Sequence, residues 1–426
     1  MSVSERSMGL GLRALRRVAG TELIDRLGAR APTERLLYRA TRNGFRAAGT
    51  AARTFKGARR NGSPARLRPA GDTGVFDLTP TDEQQMLKES VGAFAQERLR
   101  PAAPAADVDC APPADVLKQA GELGLAMLGV PEELGGVSSE RSTVTSVLVA
   151  EALAQGDMGL AAAALAPASV ASALGLWGDD EQQATYLPAL VGDEAPAAAI
   201  ALQERAALFD PQSLRTTARR DGGDYLLAGA KVLVPRAAEA SLLLVAATVA
   251  DAGPALFIVE AASAGVLTKT APAMGVRAAG TGEVRLEDVR VPATALLAAG
   301  DPDVYRECVR RARLAWCALA LGTARAVLDY VIPYVNERQA FGEPISHRQA
   351  VAFAVSDLAV ELEGMRLTTL RAAARADAGK DFAREVALAR SLCVEKGSRI
   401  GSEGVQLLGG HGYVTEHPVE RWYRDL

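Results

Sequence analysis

Two short stretches toward the C-terminal end hold the residue types best suited to chemistry. "ERQAFGEPISHRQA" contains Arg338, Phe341, Gly342 and Gln349, and "QLLGGHGYVTEHPVERWYRD" contains Gln406, Gly409 and Gly410. Arg338 offers a guanidinium fork, and the glycines offer backbone without side-chain bulk. The Gly-Gly-His-Gly turn, Pro418 and the charged amphipathic run behind it read as the approach to a working part. Taken singly, each residue has an ordinary alternative: Arg338 in a surface ion pair, Gln406 as a polar helix end, Gly409-Gly410 as a helix C-cap. Other candidates are sparse. His347, His411 and His417 lack metal-ligand spacing, so no zinc site is expected. Cys110, Cys308, Cys317 and Cys393 form no C-x-x-C pair, and with no secretory h-region they read as reduced thiols of a cytoplasmic protein.

The elements that must position these residues follow from length and patterning. A chain of 426 residues calls for two or three domains. The net charge of −3 singles out no polyanion, and no nucleic acid is expected as a partner. Its distribution is uneven: Met1 to Pro69 holds sixteen Arg and Lys against four Asp and Glu, a surplus of +12 that leaves about −15 for the rest. Arg35, Arg39, Arg42, Arg46 and Arg53 fall on one helical face, with Tyr38 and Phe45 on another. Residues 1–70 therefore read as a basic arm and linker. Its reading divides between a solvated helix and an amphipathic one lying on an anionic membrane surface or a protein partner, which would make the cytoplasmic chain peripherally membrane-associated. No apolar run is expected to approach the ~20 residues of a spanning helix.

Helical patterns dominate residues 71–195. "LTPTDEQQMLKESVGAFAQERLRP" opens on a cap-like Thr-Pro-Thr-Asp, and Pro101 is expected to stop it. "DVLKQAGELGLAML" and "STVTSVLVAEALAQ" read as further buried-face helices. Near Ala197 the period changes, and 196–298 reads as a compact β domain from "DYLLAGAKVLV", "ASLLLVAATV", "ALFIVEA", "GVLTKT" and "GEVRLEDVRVP". Three runs of about thirty residues fill 299–426 and predict most of a helical bundle. The fold class is α+β and multidomain: helical N-domain, central β domain, C-terminal four-helix-bundle-like domain.

Five segments together resemble the acyl-CoA dehydrogenase family of flavoproteins. They are "LGLAMLGVPEELGGVSS", "WGDDEQQATYLPALVGDE", "MGVRAAGTGEVRLEDVRVP", "ERQAFGEPISHRQA" and "QLLGGHGYVTEHPVERWYRD". They stand in the family's order from about Thr79 onward. The resemblance implies FAD as cofactor and removal of two hydrogens across the Cα–Cβ bond of an acyl-CoA thioester, a glutamate taking the α-proton while the flavin takes the β-hydride. It also implies a cofactor lying across a subunit interface. One subunit holds the ring in its β domain. The neighbour lends Arg338, Phe341, Gly342, Gln349, Gln406, Gly409 and Gly410 to the phosphates and adenosine end.

Measured against the family pattern, this sequence departs on the holding side. The flavin-holding loop, roughly Thr-Glu-Pro-Gly-Ala-Gly-Ser-Asp in the family, aligns with "LQERAALFDP": Gln203, Glu204, Arg205, then Ala-Ala-Leu-Phe, without glycine or hydroxyl. The family's Trp-Ile-Thr/Ser is here Leu233-Val234-Pro235. The glutamate usually follows the Arg-Asp that is here Arg424-Asp425 by about a dozen residues, beyond Leu426. Its alternative place on the first bundle helix falls near Arg311 or Ala312, and Glu307 is a turn away on another side. No catalytic residue is assigned. Three readings follow: a non-catalytic subunit that completes the FAD site of a heteromer, an active dehydrogenase whose base lies elsewhere or in a tail absent from this sequence, and a scaffold or acyl-binding protein of this fold.

Overall fold

The computed structural model describes residues 78–137, 142–192 and 195–426. The basic arm, and the membrane or partner contact expected of it, lie outside them. Helix α1 (Asp82–Phe94) starts on a capping box. Gln84 N–H donates to Thr81 Oγ1 at 3.2 Å, and Thr81 N–H donates to Gln84 Oε1 at 3.0 Å. Pro101 does not stop the helical path. A π turn (Ala95–Leu99) leads into α2 (Arg100–Asp109), and Pro101 falls in the first turn of α2, where a missing N–H is tolerated. The "DVLKQAGELGLAML" run is helical as α3 (Ala114–Glu122) and then tightens into a 3-10 turn (Leu125–Gly129) after Gly124, whose φ is +68°.

Helices α4 (Thr143–Ala154), α5 (Met158–Trp177) and α6 (Asp180–Leu190) complete this layer. Helix α5 has twenty residues without a charge, which corrects the expectation that no apolar stretch reaches spanning length. The correction concerns length only: most of α5 is buried inside the fold, in contact with α4, β1 and α7. Such a helix is hydrophobic all round because protein surrounds it.

The β domain is a seven-stranded sheet of β1 (Ala198–Ala201), β2 (Thr217–Asp221), β3 (Asp224–Val234), β4 (Leu242–Val249), β5 (Gly253–Glu260), β6 (Val266–Thr270) and β7 (Gly282–Pro292). Five of these follow the β-rich runs of the sequence; β1 and β2 were not read from it. Strand β4 pairs with β5 along its length, with β1 at its start and with β2 at its end. Strand β3 joins β2 to β7, and its register shifts between Lys231 and Val234, where Leu233 takes a φ of +55°.

The bundle consists of α7 (Pro302–Glu337), α8 (Gln349–Asp377) and α9 (Ala383–Leu408), closed by the short α10 (Val419–Asp425). A two-stranded hairpin, β8 (Gln339–Ala340) and β9 (Glu343–Pro344), joins α7 to α8. The run after Pro418, expected to approach a working part, is packed as structure. Trp422 is fully buried, edge-on to Tyr330 at 5.8 Å and under the Arg100 guanidinium at 5.1 Å. Arg421 pairs with the buried Asp157 at 3.2 Å, and Arg424 grips Asp107 at 2.8 and 3.0 Å. Burying one large apolar side chain contributes about 1.5–3 kcal/mol, so α10 pins the first helical layer to the bundle.

Candidate functional site

Two regions bear on function, and α7 separates them. The first is the end of the bundle where α7 stops, α8 starts and α9 stops. Tyr334, one turn before Arg338, ties this end together by donating its hydroxyl to Leu408 O at 3.3 Å. His411 Nδ1 lies 3.5 Å from the Tyr334 hydroxyl oxygen. All seven residues expected to lend to a cofactor belong to this end. The expected surface ion pair of Arg338 is not found: its exposed guanidinium has no hydrogen-bond or ion-pair partner among the described residues. Gln349 and Gln406 are exposed at the start of α8 and near the end of α9. Phe341 is 96% exposed at the hairpin tip, where φ values of +56° for Phe341 and +85° for Gly342 make the turn.

The glycines separate two requirements. Gly409 caps α9 with a φ of +60°, so its own backbone calls for glycine. Gly410 has no such φ, and a Cβ built on it would meet nothing within 4 Å. Neither conformation nor packing inside this chain requires a glycine at 410. The C-cap alternative thus accounts for Gly409 and not for its neighbour.

The second region is a cavity of about 870 Å³ bounded by α4, α5, the start of β1, the loop 202–211, the end of β3 and the first half of α7. At 1.5 Å per residue, Arg338 lies roughly 27 Å along α7 from Ala320, the last α7 residue on the cavity wall. The seven lending residues and the holding loop therefore do not meet within one chain.

The holding loop is built around an ion pair. Lys231 Nζ lies 2.7 Å from Glu204 Oε1, and neither side chain is more than 5% exposed. Burial pushes the Glu204 carboxyl up, but bonds from Lys231, from the Thr216 hydroxyl and amide and from the Arg215 amide outweigh it and bring its pKa down to about 2. Burial lowers the pKa of Lys231, and Glu204 opposes that shift. Glu204 is ionised at neutral pH. Arg205 reaches the buried Glu283 at 3.0 Å, and the Tyr305 hydroxyl donates to Pro211 O. The next residues turn side chains to the cavity: Leu208 is 95% exposed and Phe209 stands beside it. The Ala206 amide is already taken by Glu204 O at 2.9 Å, and Pro235 has no amide to give.

The loop 202–211 carries no hydroxyl and its Ala206 amide is engaged, whereas the bundle end presents an exposed guanidinium without a partner among the described residues and an uncrowded backbone at Gly410. The expected places of a base are likewise occupied otherwise. Arg311 lies 2.7 Å from Glu307, donates to Thr143 Oγ1 at 3.1 Å and stacks over Phe382 at 5.6 Å, while Ala312 has no titratable group. Glu307 is thereby held in an ion pair. One carboxyl on the cavity wall escaped sequence reasoning. Asp425 accepts from the Val276 amide at 2.6 Å, and burial together with the nearby Asp157 charge pushes its pKa up to about 7. The sequence signal for the ion pair was Lys231 itself, a charge inside the apolar strand "AGAKVLV" that needs a counter-charge. Asp425 had none, because only the fold brings it beside Asp157.

Comparison with known proteins places these features. Residues 81–194, 199–289 and 303–426 match the family models for the N-terminal, middle and C-terminal domains of acyl-CoA dehydrogenase. The chain is 36% identical over 362 residues to a probable acyl-CoA dehydrogenase, YngJ, of Bacillus subtilis, covering 82% of this chain and 93% of that protein. Among solved structures it resembles butyryl-CoA dehydrogenase of Megasphaera elsdenii, with a TM-score of 0.76 at 28% identity, covering 82% of this chain and 94% of that one. It also resembles a glutaryl-CoA dehydrogenase of Mycobacterium smegmatis in complex with FADH2, with a TM-score of 0.74 at 26% identity, covering 81% and 89%.

Proposed function

The chain belongs to the acyl-CoA dehydrogenase family, and we propose that it acts there as the subunit that completes a partner's FAD site rather than holding a flavin ring of its own. The observation that carries this reading is at the bundle end: an Arg338 without a partner among the described residues, and a Gly410 that neither its conformation nor packing among them requires. Both are accounted for if a phosphate-bearing group held by a second family member comes close there. The Mycobacterium smegmatis relative solved with FADH2 supports the identity of that group. When bound, FAD supplies the hydride acceptor for α,β-dehydrogenation of an acyl-CoA thioester. In this reading Arg338 forks onto the pyrophosphate. Gly409 and Gly410 let the α9 end approach it, and Gly342 and Phe341 shape the hairpin against it. Gln349 and Gln406 supply amide contacts. The loop 202–211 keeps its ion pair and its place in the fold but offers the ring Leu208 and Phe209 in place of donors.

The test is Arg338→Ala in a complex with a flavin-holding family member. A charge-assisted contact to phosphate contributes about 1.5–3 kcal/mol, so FAD affinity should fall about ten- to a hundredfold. The melting temperature of this chain should not change. Loss of stability with flavin retained would make Arg338 an ordinary structural residue and defeat the reading.

A second reading, an active dehydrogenase, is favoured by Asp425, a cavity carboxyl with a pKa near neutrality as a general base needs. It requires acyl-CoA oxidation by this chain alone that Asp425→Asn abolishes. The shared-site reading expects no turnover from the isolated chain.

A further inference from the structure

The segment behind α9 carries two of the chain's three histidines, and both belong to one aromatic cluster. Tyr330 and Tyr334 stand one turn apart on α7, so they share a face. His417 packs against them with ring centres 6.0 and 5.8 Å away, and His411 lies 5.7 Å from His417. The cluster runs from the buried Trp422, 5.8 Å from Tyr330, out to the exposed His411 between Gly410 and Gly412. Arg338 follows Tyr334 by one more turn.

Hydrogen bonds set the two imidazoles apart. The Tyr334 hydroxyl has one proton and gives it to Leu408 O at 3.3 Å, so toward His411 it can only accept. His411 Nδ1, 3.5 Å from that hydroxyl, then carries the proton of the neutral ring, and Nε2 is a bare acceptor with no partner among the described residues. His417 is arranged the other way. Burial pushes the Tyr330 phenol up, so it keeps its proton and donates it to His417 Nδ1 at 2.7 Å. A second proton can join His411 at Nε2 without disturbing any bond. On His417 it would have to reverse the bond from Tyr330. Two imidazolium rings at this spacing repel, so the first proton goes to His411 and opposes a second. Glu337 on α7, Glu403 on α9 and Glu416 in the turn make no hydrogen bond or ion pair with either histidine. On α10, Glu420 is held by Arg424 at 3.0 Å, Arg421 by Asp157 at 3.2 Å and Asp425 by the Val276 amide at 2.6 Å. Further titratable groups at this end are Arg338 and the exposed Tyr413.

A helix ends in the negative pole of its dipole, and residues 409–413 lie at the end of α9. An anion that comes up to Gly409 and Gly410 needs cations there, and neutral His411 offers it a lone pair instead. We propose that His411 is a further contact of the bundle end for a phosphate-bearing group, made only by its imidazolium form and positioned by Tyr334. This contact rests on the shared-site reading and makes the grip of that end depend on pH, stronger as pH falls through the histidine range and weaker above it.

FAD affinity is measured for the complex with a flavin-holding family member from about pH 5.5 to about pH 8.5, the span in which histidine changes charge. Oxidised FAD keeps a constant charge across it. Dividing wild-type affinity by that of His411→Asn removes the titration of every other group. This ratio should be near one at the alkaline end and rise about three- to tenfold at the acid end. His411→Lys, with a permanent charge, should keep the acid-end affinity across the range. Tyr334→Phe keeps the ring packing but removes the acceptor of Nδ1, so the gain in acid should shrink; a merely structural Tyr334 would lower affinity equally at both ends. Arg338→Ala separates this contact from the reading beneath it, since it should weaken FAD at every pH. If it does so while wild type and His411→Asn stay parallel throughout, the His411 contact is overturned and the shared-site reading stands. If Arg338→Ala changes nothing and the ratio is flat, both fail. A ratio that rises in acid although Arg338→Ala is silent would keep His411 and retire Arg338.

Discussion

At the bundle end, Arg338 has no partner and Gly410 no crowding neighbour among the described residues, whereas in the β domain Lys231 is buried against Glu204, which also accepts from Arg215 and Thr216. A guanidinium left in solvent costs the fold little, because water solvates it. A buried ammonium is tolerated only with its carboxylate in place. On the shared-site reading, the difference separates residues kept for something outside the chain from residues kept for the fold. A loop can therefore keep its structural anchor, Glu204, while the neighbouring positions that would face a cofactor change to Ala206, Ala207, Leu208 and Phe209.

The comparison breaks most readily at the ion pair. Lys231→Met should destabilise the chain by about 3–5 kcal/mol, because it leaves a buried carboxylate without its partner. Urea denaturation measures this, and adding Glu204→Gln should recover part of the loss. A loss under about 1 kcal/mol would mean that the pair is not what holds the loop.

Acid should act on the same pair with a definite sign. The folded-state pKa of Glu204 is depressed to about 2, so its contribution is present above the unfolded value near pH 4.5 and is lost as pH falls through 2. The contribution is on the order of 3 kcal/mol. Asp425 runs in the opposite direction. Its raised pKa favours the folded state below about pH 4, and that contribution fades as pH rises through 7. Asp425→Asn should flatten the neutral part of the stability profile and leave the acid limb unchanged. An unchanged neutral profile would place Asp425 in a solvated setting.

At the bundle end the expected effects on stability are smaller and those on the cofactor larger. Gly410→Ala should change stability by no more than about 0.5 kcal/mol, since the added methyl meets open space and the backbone is not left-handed. The same change should lower flavin retention by the complex. Gly409→Ala, at a φ of +60°, should cost roughly 1 kcal/mol in the isolated chain. Equal melting temperatures for the two variants would erase the distinction drawn between these glycines. Leu208→Ala should have the least effect of all, within about 0.5 kcal/mol, because the side chain is almost fully exposed.

Periodicity made the larger elements legible. Long apolar stripes announced α7, α8 and α9, and alternation announced β3 through β7. Strand β1 is four residues of alanine and isoleucine with no alternation, and β2 reads "TARRD", polar enough to pass for a turn; tertiary pairing with β4 makes both of them strands. Pro101 misled because a π turn before it shifts the helical register. At the bundle end the proposed contacts come from the family resemblance of two segments rather than from residue types alone. The Glu204–Lys231 pair and the setting of Asp425 could not be read from the sequence, since each depends on residues from separate elements meeting in space.

The most direct measurement is the absorbance spectrum of the purified chain, without a partner, set against its protein concentration. A chain that lends its half of a shared site and has lost the ring-holding loop should be colourless, with far less than one FAD per chain even after incubation with excess FAD. A yellow protein carrying about one FAD per chain as a homo-oligomer would show that the loop 202–211 holds a flavin after all, and would contradict the central claim.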